Sequence, residues 1–113
     1  MEKHVVGLVE ILISRGLDAS VLLEYEYSYH QALQLYYGIA KGYDVSVYAD
    51  PRISGIKMEI MLDGLMAGLD IVFMDVHMLD NEVENVIGLM KQGRSQYDAV
   101  KLVGINGAWV RSR

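Results

Sequence analysis

The chain has 113 residues, enough for one domain and too few to expect two, and a 52% hydrophobic content with a single proline excludes a disordered chain. The absence of cysteine excludes a disulfide framework, a thiolate metal site and a cysteine nucleophile. The formal charge of −5 opposes a general affinity for nucleic acid, yet it is unevenly placed. Lys91, Arg94, Lys101, Arg111 and Arg113 meet only Asp98 in the last 23 residues, which leaves that segment at +4 and the first 90 residues at −9.

Met1-Glu2-Lys3-His4 leads into an apolar stretch interrupted by Gly7, Glu10 and Arg15, without a small-residue cleavage site, so no secretory signal is expected. No run approaches the roughly 18 consecutive apolar residues of a membrane span, and a cytoplasmic protein is the expectation. The spacing predicts a first helix over Glu2 to Arg15, stopped at Gly16 because glycine takes the left-handed conformation cheaply. Asp18 then caps a short second helix. Between Ala19 and Lys41 only Gly38 interrupts the helical pattern, so the short helix is expected to run on into the next with little break. This stretch holds Tyr25, Tyr27, Tyr29, Tyr36 and Tyr37, rings that bury apolar area while their hydroxyls tolerate water; they read either as core filling or as a partner surface.

Asp50-Pro51 ends that segment, since proline forbids helix continuation and pushes its predecessor toward extended backbone. Ser54 is the expected N-cap of a helix over Ile56 to Ala67 that Gly68 closes. Asp70 begins another short element, Asp80 or Asn81 caps a helix through Met90, Gly93 closes it, and Ser95 with Asp98 resembles a capping box. At the C-terminus, Val100 to Ile105, Asn106-Gly107 and Ala108 to Val110 read as a β-hairpin around a type I′ turn, which must lie against the last helices to persist.

One pattern runs through all of this. Gly16-Leu17-Asp18, Gly42-Tyr43-Asp44 and Gly68-Leu69-Asp70 stand 26 residues apart, with a weaker copy, Gly93-Arg94-Ser95, 25 further on. In the same phase, apolar stripes precede each triplet: Val6, Val9, Ile13; Ala32, Leu35, Ile39; Met58, Met61, Leu65; Val83, Val86, Met90. Spacing of three and four marks one helix face, and a period of this length marks stacked units. Gly38 and Gly64 share one phase inside strong helical patterns, as expected where two helices cross closely. The reading is all-α, a short helical-repeat solenoid of about three and a half units (4–29, 30–55, 56–81 and 82–104) with a C-terminal cap over 105–113.

The stretch Tyr48 to Ile71, YADPRISGIKMEIMLDGLMAGLDI, and its echo before Asp50-Pro51 resemble uncharacterised tandem-repeat proteins of Firmicutes and their mobile elements, built from GLDVSxYAxP units. The unit also resembles leucine-rich-variant repeats, which pair one α-helix with a short 3₁₀ helix. The resemblance is clearest from Ala32 to Ile71 and fades after Met74. It implies a right-handed helical solenoid and supplies no catalytic residue.

The rival is an α/β fold with a parallel sheet, because Tyr43 to Ala49, Leu69 to Met78 and Val100 to Ile105 are rich in β-branched residues. In that frame Ile71 to Met78 resembles the strand of a receiver domain that presents a phosphoaccepting aspartate, here Asp75. Too little chain follows for the remaining units of that fold, and its acidic pair and lysine-proline pair are missing. Other chemistry is thin. His4, His30 and His77 lack a metal-ligand spacing. Asp18, Asp44 and Asp70 are better explained as caps than as a metal cluster. No glycine loop shaped to cradle phosphate is present.

The expected function follows from the architecture: a non-catalytic protein-binding module, since stacked units build extended recognition surfaces, with no enzyme activity and no cofactor. The resemblance implies, more concretely, a phage or mobile-element factor that engages a host protein. The alternative is a nucleic-acid-associated regulator using the basic C-terminal segment. The residues that would carry partner binding are Tyr25, Tyr29, Tyr36, Tyr37, Lys91, Arg94, Lys101 and Arg111.

Overall fold

The computed structural model describes residues 2–72, 74 and 76–106. Its regular elements are α1 (Lys3–Ser14), α2 (Ser20–Leu23), α3 (Tyr29–Ala40), a 3₁₀ turn (Val45–Val47), α4 (Gly55–Met66), α5 (Asp80–Lys91) and α6 (Gln96–Asn106). There is no strand among the described residues, and the fold is all-α. The parallel-sheet alternative is thereby corrected. Val45 and Ile71, which suggested strands, are buried instead in the crossings between helices. Val100 to Ile105, expected as a hairpin arm, lies within α6, which packs along α5; the second arm, Ala108 to Val110, lies outside the described residues. Asp75, the aspartate of the receiver-like reading, lies outside the described residues.

α1, α3, α4 and α5 are each 12 residues long and start at residues 3, 29, 55 and 80, so successive starts are 26, 26 and 25 residues apart. Each ends in the same hydrogen-bonded motif. Gly16, Gly42, Gly68 and Gly93 have φ of 74°, 84°, 82° and 101°, the left-handed region where any side chain is strained. Their amides donate to Ile13, Ile39, Leu65 and Met90, and the following amides of Leu17, Tyr43, Leu69 and Arg94 donate to Leu12, Gly38, Gly64 and Leu89. These are four Schellman ends, and they satisfy carbonyls that the helices leave open.

The beginnings are less uniform. Ser28 and Gln31 form a full capping box at α3, Ser54 Oγ accepts from the Lys57 amide at 3.1 Å, and Ser95 Oγ accepts from the Asp98 amide at 3.2 Å. This capping box is why α2 does not run on into α3 as expected: Ser28 starts a new helix after the break at Glu24 to Ser28. At α5 the N-cap is Leu79, not Asp80 or Asn81; the Glu82 side chain reaches back to the Leu79 amide at 2.8 Å, while Asp80 accepts from Ser54 Oγ at 3.0 Å.

α1 packs on α3, α3 on α4, α4 on α5 and α5 on α6. The result is elongated, with extents of 45 × 27 × 16 Å and a radius of gyration of 14.8 Å, against about 13 Å for a compact chain of this length. The core runs the length of the stack through Leu12, Leu22, Leu35, Tyr48, Met58, Met61, Val83 and Val86, all fully buried. At Gly38 an added Cβ would collide with Val45 and with the Tyr48 hydroxyl, and at Gly64 it would lie 2.5 Å from Ile71 Cδ1 and 3.1 Å from Ile87 Cδ1. Both glycines therefore seat the connection that follows their own helix, and each lies beside the next helix. The one stripe that fails is the first: Val6 and Ile13 are 38% and 62% exposed, and α1 buries Val5, Leu8, Val9 and Leu12 instead. In α3, α4 and α5 the equivalents of Val6 and Ile13 are buried or packed against the core.

Candidate functional site

An open groove of about 800 Å³ crosses α3, α4 and α5. It exists because these helices lie side by side with matched ends. Near their N-termini, the Gly55 backbone packs on the His30 ring and Ser54 bonds Asp80; near their C-termini, Lys91 Nζ meets Asp63 Oδ2 at 2.7 Å. The apolar lining includes Tyr37, Ile56 and Met66, exposed by 41%, 52% and 48%. Scattered exposed apolar residues are ordinary, whereas three converging on one hollow are not. A second hollow of about 580 Å³ lies between α5 and α6 and shares Glu84 and Gly88 with the first, so the depression continues along the stack.

The charge in the groove is arranged by helix position. Glu59 and Glu84 are each the fifth residue of their helix, and both are exposed. Glu59 has His30 Nε2 at 3.6 Å, while among the described residues no cation forms an ion pair with Glu84. Lys91 at the other lip is held by Asp63, a solvent-exposed pair worth roughly 0–1 kcal/mol, and Lys41 caps α3 on the same side.

The residues singled out from sequence are not gathered into one place. Tyr37 and Lys91 line the groove. Tyr25 lies in the α2–α3 connection with its ring edge-on to Tyr27, 6.0 Å between centroids, and Tyr29 at the start of α3 tilts against His4 of α1 at 5.3 Å. Tyr36 is half-buried against the core and tilted on Tyr37. Arg94 occupies the turn after α5, and Lys101 Nζ stands 5.6 Å from the centre of the Tyr97 ring. Arg111 lies outside the described residues. Ile56, Glu59, Met66 and Glu84 drew no notice in the sequence. The signal was there, in exposed positions one helix turn apart on α4 and repeated on α5, but only the packing of three helices turns it into a groove.

Two tyrosine hydroxyls are buried with opposite outcomes. Tyr48 Oη donates to the Gln34 carbonyl at 2.8 Å, and burial pushes its pKa up. Tyr27 is 4% exposed and among the described residues its Oη has no hydrogen-bond partner; burial, with smaller contributions from nearby Glu24, Tyr25 and Asp50, pushes its pKa up to about 12. The aspartates behave as turn clamps. The Ser46 hydroxyl and amide on Asp44 Oδ1, at 2.6 and 3.1 Å, hold that carboxyl below the usual range, and the Ser20 amide and side chain do the same at Asp18. Asp18 is therefore one residue ahead of the N-cap of α2, which is Ala19. The third member differs: the Val72 amide, at the position equivalent to Ser20 and Ser46, donates to Gln96 Oε1 at 2.8 Å, and Gln96 Nε2 donates to the Val72 carbonyl at 3.1 Å. Among the described residues no three His, Asp or Glu side chains gather closely enough to hold a metal ion, and no helix is long and apolar enough to cross a membrane. Comparison with known proteins finds no match, neither to a family model, nor to a curated protein, nor to a solved structure.

Proposed function

We propose that the chain is a short helical-repeat solenoid that acts as a non-catalytic protein-binding module, with the groove over α3, α4 and α5 as its binding surface. The observation that carries this is the convergence of exposed Tyr37, Ile56 and Met66 in one hollow on a row of side-by-side helices. Four helices of equal length with identical Schellman ends support the repeat reading. Repeat stacks put equivalent side chains of successive units into rows, which suits recognition of an extended partner. The sequence resemblance to mobile-element proteins makes a host protein the proposed partner class. The basic C-terminal segment is a weaker candidate, because Lys91 is engaged by Asp63 and Lys101 lies over Tyr97.

The test is affinity capture from a bacterial lysate with wild type, Ile56→Asp and Met66→Asp baits. Partners retained by wild type and lost from both variants, each still helical by circular dichroism, are the expected result. Equal retention on all three baits overturns the assignment of the groove.

A further inference from the structure

We infer that the occupant of the groove is an amphipathic α-helix of a partner protein that carries basic side chains at positions i and i+7. The inference rests on the protein-binding reading above and adds the chemistry of the ligand. Glu59 and Glu84 occupy the same position of adjacent helices and both line the groove; among the described residues no cation forms an ion pair with Glu84, and the ion-pair partner of Glu59 is His30. Packed helices lie about 8–10 Å apart, so the two carboxylates repeat at about that distance across the stack. A helix laid along the groove rises about 1.5 Å per residue, and seven residues span roughly 10 Å while returning to the same face. Two cations so spaced meet both carboxylates at once.

The floor between them is apolar and has room. Ile60 and Ile87 line it, and an added Cβ at Gly88 would meet nothing within 4 Å. Apolar residues at i+3 and i+4 of the incoming helix fall over this gap. Lys41, at the end of α3 on the other lip, opposes a helix that is basic all round, so the partner's positive charge belongs on one side only. The two hollows together reach from α3 to α6, three interhelical steps, which a helix of about 16–20 residues covers.

The experiment is fluorescence anisotropy with labelled 18-residue synthetic helices: an alanine and leucine host with Lys at i and i+7 around a Leu pair, the same peptide with Glu for both Lys, and one with Lys at i and i+5. Wild type should prefer the first over the second by about tenfold, a preference that shrinks as salt rises. Glu59→Lys/Glu84→Lys should reverse the order, and Glu59→Gln/Glu84→Gln should erase it. Both residues are exposed, and retained helicity of each double variant confirms folding. No preference, a preference for the i, i+5 peptide, or an order unchanged in the double variants overturns the inference. So does self-association of the free protein that the Glu59→Lys/Glu84→Lys variant abolishes, which would make a second copy the occupant. If the peptides fail while Ile56→Asp and Met66→Asp still lose the captured partner, the binding reading stands and the basic-helix ligand falls.

Discussion

Gln31 and Lys57 hold the same position of successive helices and do the same thing: each sends a side-chain nitrogen to a carbonyl of the connection that follows its helix. Gln31 Nε2 donates to Pro51 and Ile53 at 2.9 and 2.7 Å, and Lys57 Nζ donates to Val76 at 2.9 Å. The third residue of each helix thus fastens the chain as it crosses to the next one. The bonds to Ile53 and Val76 are part-buried, and the second accounts for a lysine only 9% exposed.

Lys57→Met should therefore destabilise the protein by about 1–3 kcal/mol, since it leaves a part-buried carbonyl without its charged donor. Lys57→Gln should cost less, because Gln31 shows that an amide can do this work one helix earlier. Urea denaturation of the two variants checks the order. Equal midpoints for Lys57→Met and wild type would remove the clip from the account of stability.

The two buried tyrosines make a second contrast. Tyr48→Phe discards a hydrogen bond to Gln34 and should cost about 0.5–1.5 kcal/mol, whereas Tyr27→Phe discards a hydroxyl that has no partner and should be neutral or stabilising. A pH dependence follows. With the Tyr27 pKa at about 12 in the folded chain and about 10 when unfolded, the folded state binds more protons between those values, so stability falls as pH rises from about 10 to 12. Tyr27→Phe should flatten that alkaline limb, with Tyr48→Phe flattening it further. Thermal melts between pH 8 and 11.5 provide the measurement; a limb unchanged in Tyr27→Phe would refute the assignment.

Glycine positions separate by what surrounds them. Gly38→Ala should destabilise, because the new Cβ meets Val45 and the Tyr48 hydroxyl, and overpacking of this kind costs about 1–3 kcal/mol against a propensity gain of about 1 kcal/mol. Gly64→Leu should be worse, since its side chain must displace Ile71 and Ile87. Gly88→Ala meets open space and should raise the melting temperature. A rise for Gly38→Ala would contradict the close crossing.

The third aspartate of the series departs from the first two. Asp44→Ala should cost about 0.5–2 kcal/mol through loss of its bonds to Ser46. Asp70→Ala should cost less, because Gln96 of α6 holds the equivalent amide, and Gln96→Ala should in turn loosen the α4–α5 connection. Because the Asp44 carboxyl is held below its ordinary range, its contribution is present above the unfolded pKa near 3.9 and is lost as pH falls through the folded value. Chemical denaturation at pH 7 and pH 3 should show the gap between Asp44→Ala and wild type closing at the lower pH.

Much of this arrangement could be read from residue spacing, and the reasons for the failures are physical. Gly16, Gly42, Gly68 and Gly93 were legible because a left-handed backbone position selects glycine locally, whatever surrounds it. Val6 and Ile13 were misjudged because the buried face of α1 falls on Val5, Leu8, Val9 and Leu12, a choice that a phase shared with the other copies does not reveal. Val100 to Ile105 carries strand-forming residues, yet its packing on α5 decides in favour of helix, the usual way tertiary context overrides weak propensity. The Leu79 cap was hidden because its hydrogen bond comes from Glu82, three residues away, and the Asp80 carboxylate that looked like a cap serves Ser54. Tyr37 was picked from a crowd of tyrosines that the fold then distributes; Glu59 and Glu84 acquire meaning only once α4 and α5 lie side by side.

The basic end provides the last test, which decides between protein and nucleic acid as the partner. A site for DNA or RNA needs several cations free to neutralise phosphates, and its affinity then falls steeply with salt as counterions are released. Here Lys91 pairs with Asp63, Lys101 lies over Tyr97, and the first 90 residues carry −9. The expected result is binding no tighter than the non-specific range, a Kd above about 10⁻⁶ M at physiological salt. A gel shift with duplex DNA and with single-stranded RNA at about 150 mM salt makes the comparison. Submicromolar affinity that disappears in the Arg94→Ala/Lys101→Ala/Arg111→Ala variant would make the C-terminal segment, and not the groove over α3, α4 and α5, the functional surface of this chain.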